Sequence, residues 1–110
     1  MTTPTRHAEL AERLRDRVEN AGVLDPGLRA ACVRIGAGAD AEIAAAHREL
    51  AATIAESSHR VTDAQVAAVR EALGSDRAAF EVIMAASAGA GLRRWDAAVG
   101  AIQEASDAAG

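Results

Sequence analysis

Lysine and tyrosine are absent from this 110-residue chain, and cysteine, phenylalanine and tryptophan occur once each. A single cysteine, Cys32, excludes an intrachain disulfide, a dithiol redox cycle and a four-cysteine zinc site. No apolar run approaches the roughly 20 residues of a membrane span. No charged segment leads into an apolar stretch as in a secretory leader. The expectation is a cytoplasmic protein with no membrane contact. Charge of one sign is also scarce: 12 basic residues, all Arg, stand against 16 acidic ones. They are spread evenly, so no basic patch marks a nucleic-acid partner. No Ser/His/Asp group, carboxylate pair or glycine-rich phosphate loop is present. No catalytic residue, metal or cofactor is expected.

What the chain has is alanine, 30 copies of it, with 21 Leu, Ile, Val and Phe combined. Alanine is the best helix former but gains little on burial. This composition predicts an all-α fold with a thin core, and the missing lysine suggests a GC-rich bacterial genome. Small domains are marginal even with good cores, so a homo-oligomer, dimer or higher, is the expected source of extra stability.

The pattern divides into a small bundle of five helices in one domain, 1–110, with no strand. The first runs from Pro4 to Ala21, capped by Thr3, with Leu10, Leu14 and Val18 in one stripe. Asp25-Pro26 caps the second, which ends at Gly36. Asp40 is the expected cap of a third helix reaching Ser57, with Ile43, Ala46, His47, Leu50 and Ile54 in phase. Thr62 and Gln65 have the spacing of a capping box, and Val61 and Val66 that of a hydrophobic staple. That fourth helix ends at Leu73-Gly74, and Ser75-Asp76 starts a fifth that reaches Ala105.

The fifth helix shows two apolar faces. Phe80, Met84, Ser87, Gly91, Trp95, Ala98 and Ile102 share one stripe at 100° per residue. Val82, Ala86, Gly89 and Gly100 occupy the other, with Arg93 in its middle. A helix apolar on both sides is covered on both sides. The face of large side chains is expected to serve the core. The small one, Val82, Ala86, Gly89, Arg93 and Gly100, is expected to meet another chain.

The stretch Val61-Thr-Asp-Ala-Gln-Val66 to Gly74, followed by Phe80-Glu81 and Arg94, resembles the C-terminal half of the alkylhydroperoxidase D-like / carboxymuconolactone decarboxylase superfamily. Thr62, Asp63, Gly74, Phe80, Glu81 and Arg94 fall on that pattern, which covers about 45 residues; 1–60 diverges from it. The resemblance implies an all-helical fold that oligomerises through its helices. Peroxidase members of that superfamily use a Cys-x-x-Cys pair with an upstream Glu and a downstream His. Cys32 has Arg29 and Ile35 at those spacings, so thiol peroxidase chemistry does not carry over.

Isolated polar residues complete the inventory. Cys32 shares a face with Leu28 and Ile35, which predicts a buried, slow-reacting thiol. Glu56-Ser-Ser-His59 is a single Glu-x-x-His at a helix end, where di-iron bundles need two plus two further Glu. His47 lies on an apolar face, as a core or interface residue does. Arg93, Arg94 and Asp96 are the polar group closest to a site, with Arg93 and Asp96 placed to pair at i, i+3. Two functions follow. One is a non-catalytic oligomerisation or accessory subunit supporting a biosynthetic or redox enzyme. The alternative is a small-molecule-binding protein or non-thiol enzyme with a pocket of His47, Arg93, Arg94 and Asp96 that takes a carboxylate. The missing polar cluster favours the first.

Overall fold

A computed structural model describes residues 6–20 and 22–109. Among the described residues five α-helices follow one another: α1 (Arg6–Asn20), α2 (Pro26–Gly36), α3 (Ala45–Ser57), α4 (Asp63–Leu73) and α5 (Asp76–Ala109). A 3-10 turn, Ser58–Arg60, joins α3 to α4, and no strand occurs among the described residues. The expected start of α1 at Thr3-Pro4 and its end at Ala21 lie outside the described residues.

Local chemistry explains most boundaries. The Asp25 carboxylate accepts the Leu28 N–H at 3.1 Å, with Pro26 in the first turn. In α4 the capping box closes in both directions: Thr62 Oγ1 accepts the Gln65 N–H at 3.2 Å, and Gln65 Oε1 accepts the Thr62 N–H at 3.0 Å. Gly74 ends that helix at φ +83°, a left-handed value that favours glycine. Ser75 Oγ then accepts the Ala78 N–H at 3.1 Å and opens α5.

One boundary departs from the sequence pattern. Asp40 does not cap α3, because its Oδ1 accepts the N–H of the adjacent Ala41 at 2.9 Å. The helix begins at Ala45, and Ala44 precedes it with no side-chain cap. Arg48 braces the connection by donating to the Ala41 carbonyl at 2.9 Å.

The N-terminal half of α5 is the axis of the fold. Its Ala78, Ala79, Val82, Ala85, Ala86, Gly89 and Ala90 are buried together with Cys32, Val33 and Ile35 of α2, Leu50, Ala51 and Ile54 of α3, and Val69 of α4. Two glycines set the closest approach. A Cβ on Gly36 would stand 2.1 Å from the Ala86 carbonyl oxygen, and one on Gly89 would stand 2.1 Å from that of Val33. The helices α2 and α5 therefore meet backbone to backbone. This is how a chain of alanines still forms a tight core.

Beyond Leu92 the same helix leaves the bundle. All of 93–109 is exposed except the half-buried Gly100. A 34-residue helix is about 51 Å long at 1.5 Å per residue. The molecule is correspondingly elongated, 54 × 26 × 21 Å. The helix α1 lies beside this extension, where Arg15 grips Asp96 with both oxygens, at 2.6 and 2.7 Å.

Candidate functional site

The four residues singled out for a ligand pocket sit in different surroundings. His47 is buried on α3 beside Leu50 and Ala51, and its Nδ1 has no hydrogen-bond partner among the described residues. Burial lowers its pKa, so the ring is held neutral. Arg93 and Arg94 are exposed on α5; Arg93 rests over Gly38 in the α2–α3 connection and lines an open cavity with Asp40, Arg48 and Glu56. Asp96 points to α1 and pairs with Arg15, which corrects the expected Arg93–Asp96 pair. No described cavity is lined by all four.

The two faces of α5 exchange the roles expected of them. Val82, Ala86 and Gly89, expected to meet another chain, are buried against α2. Their smallness serves a contact inside the chain, where a Cβ on Gly89 would collide with the Val33 carbonyl. Arg93 is exposed and Gly100 half-buried, with nothing within 4 Å of a Cβ built on Gly100. Phe80, Met84, Trp95 and Ile102, expected in the core, are exposed instead. Large side chains would hold α2 and α5 apart, and the glycine contacts show that they are not apart.

The exposed face is continuous with α1. Leu10 and Leu14 of α1 are also exposed, and with Met84, Gly91 and Trp95 they line an apolar groove of about 550 Å³. Phe80 and Met84 extend it at one end and Val99 at the other. His7 sets its ring against Trp95, 6.3 Å between centroids at an interplanar angle of 62°.

Cys32 is fully buried, and burial pushes its thiol up to about 11. A thiol kept protonated and out of reach is no nucleophile at neutral pH. Among the described residues no three His, Cys, Asp or Glu side chains converge as metal ligands do. Glu56 and His59 are exposed at the end of α3, where the His59 ring bonds Ser57 Oγ at 3.1 Å.

A polar cluster that sequence reasoning missed lies between α1, α2 and α5. Glu81 is 8% exposed and Arg29 is 3% exposed. Glu81 accepts the N–H groups of Val23 and Leu24 at 3.0 and 3.1 Å, Arg77 Nε at 3.1 Å and Arg29 Nη2 at 3.3 Å. Arg29 also donates to the Glu19 and Leu24 carbonyls, at 3.1 and 2.5 Å. Burial alone raises the Glu81 carboxyl, but these four hydrogen bonds outweigh it and hold it below its ordinary value. Gly22, at φ +122°, lets the chain pass over the carboxylate, which a Cβ would strike at 2.0 Å. The cluster clasps the α1–α2 connection onto α5. The signal was present in the sequence: Glu81 shares the helical phase of Ala78, Ala85 and Leu92, all buried.

Comparison with family models, with curated proteins and with solved structures gave no match. Among the described residues the arrangement presents an exposed apolar groove and no converging set of metal-type ligands. Among the described residues the one buried carboxylate has both oxygens engaged by structural donors, and the thiol of Cys32 is sealed in the core.

Proposed function

We propose that this chain is a non-catalytic helical subunit that works by assembly, with itself or with a partner enzyme, through the α1–α5 face. The observation that carries the reading is the continuous exposure of Leu10, Leu14, Phe80, Met84, Trp95 and Ile102. Contiguous apolar surface rimmed by polar groups marks association sites. The resemblance noted above points the same way, since that superfamily oligomerises through its helices. A role beside a biosynthetic or redox enzyme belongs to the same proposal, and a carboxylate-binding pocket finds no support in the scattered positions of His47, Arg93, Arg94 and Asp96.

The test is the size of the native assembly. The chain is mildly cross-linked in the cells that make it, as wild type and as the Met84→Glu/Trp95→Glu variant. Wild type is expected in a species larger than its 11.3 kDa mass, and the variant at 11.3 kDa with its helix content retained. The smaller mass for both would overturn the reading.

A further inference from the structure

The stripe Phe80, Met84, Ser87, Gly91, Trp95, Ala98, Ile102 is complementary to its own reverse. Gly91 is the midpoint of Phe80 and Ile102, of Met84 and Ala98, and of Ser87 and Trp95. Turned end for end about Gly91, the stripe sets Trp95 opposite a serine, Met84 opposite an alanine and Phe80 opposite the end residue Ile102. Gly91 meets itself at the centre, where its Cβ position is open space. We infer that the occupant of this face is a second copy of the chain, bound by a two-fold axis at Gly91 with the two α5 helices antiparallel. This deepens the assembly reading and rests on it.

Charge supports the same orientation. Beside Phe80 and Met84 the cavity wall carries the exposed Arg17 and Arg77, with the buried Glu81 already matched by Arg29 beneath them. At the other end, α5 beyond Ile102 carries Glu104 and Asp107 and no basic residue. An antiparallel pair sets the basic end of each copy beside the acidic end of the other, whereas a parallel pair sets like on like and Trp95 on Trp95. The area also suffices. The exposed parts of Leu10, Leu14, Phe80, Met84, Trp95 and Ile102 sum to on the order of 600 Å², the upper end of the largest apolar patch on a monomer. A standard interface takes about 800 Å² from each partner, polar rim included. A two-fold contact is also the commonest closed association.

The experiment uses the purified full chain, light scattering at micromolar concentration and a short bis-maleimide linker on introduced cysteines. Phe80→Cys and Ile102→Cys, both at exposed positions, are expected to link when mixed and not when alone, because like ends lie about 33 Å apart along the helix. Gly91→Cys alone is expected to link, and the off-face control Ala67→Cys is not. Met84→Glu is expected to weaken dimerisation at least tenfold. Self-linking of Phe80→Cys, or a dimer in which Gly91→Cys fails to link, overturns the antiparallel register. A purified monomer overturns the second copy as occupant. If the native assembly then persists in cells, the broader reading stands; if it is absent too, both fall.

Discussion

The inner and outer faces of α5 are both apolar but carry opposite side-chain sizes. Inside, Ala86 and Gly89 bring the backbone of α5 against that of α2. Outside, Phe80, Met84, Trp95 and Ile102 stand in solvent beside α1. The comparison teaches that, in an alanine-rich bundle, the core goes to the face that allows the closest approach, not to the face with the most hydrophobic area. Dispersion falls off steeply with separation, so a tightly seated small-residue contact competes with larger side chains that pack loosely.

The strongest way to break this comparison is to enlarge the inner face. Gly89→Leu drives a side chain into the Val33 carbonyl, and Gly36→Leu does the same at Ala86. Each is expected to cost more than the ~1–3 kcal/mol of an ordinary overpacked core, because backbone has to move. At about 4–8 °C per kcal/mol, the melting temperature falls well beyond 10 °C or the cooperative transition disappears. Calorimetry checks it, and an unchanged melt would show that α2 and α5 are not in backbone contact.

Glu81 sits where the two faces meet, and the second prediction concerns its charge. Glu81→Gln leaves Arg29 buried without its counter-charge, at an expected cost of about 3 kcal/mol. The pH profile gives the sharper readout. The folded pKa of Glu81 lies below its unfolded value, so its stabilisation is complete above about pH 4.3 and is lost as pH falls through the folded value. Wild type is expected to lose stability on that acid limb and the variant to show a flatter one. Parallel acid limbs in denaturant melts would remove Glu81 from the clasp.

Much of this was legible in the chain. The helix count, the Asp25, Thr62 and Ser75 starts and the Gly74 end follow from cap chemistry acting over three or four residues. The site was less legible, for a physical reason. Periodicity separates an apolar face from a polar one, but it does not rank two apolar faces. That ranking depends on which residues of another helix come opposite, and Gly36 is 50 positions from Ala86 as Gly89 is 56 from Val33. The Arg29–Glu81 pair was hidden in the same way: Glu81 shares the phase of Ala78, Ala85 and Leu92, but nothing in the sequence joins it to Arg29 until the fold brings the two together.

A milder change tests the outer region. Gly100 has no neighbour within 4 Å of a Cβ, so Gly100→Ala is expected to stabilise the protruding half of α5 by about 1 kcal/mol. Far-ultraviolet circular dichroism during melting would register it, and destabilisation would reveal a contact there. The smallest expected effect is at His47. Its folded pKa is below the unfolded one, so below about pH 6.5 the unfolded chain takes up a proton that the folded chain refuses, and stability drops. His47→Leu should remove that loss between pH 6.5 and 5 and leave the profile above pH 7 little changed. A variant with the wild-type slope would assign the titration elsewhere.

The clasp at Glu81 also sets a hierarchy of opening. It binds the connection at Val23 and Leu24 and, through Arg29, the Glu19 carbonyl, but farther along α1 the hold on α5 is an exposed ion pair and half-covered leucines. Hydrogen exchange in α1 should therefore run outward from its tethered end: slowest near Glu19, faster toward Arg6. The inner amides of α5 should exchange only with global unfolding. The helix that flanks the association face would thus behave as a hinged cover with its own opening free energy, smaller than that of the bundle it rests on.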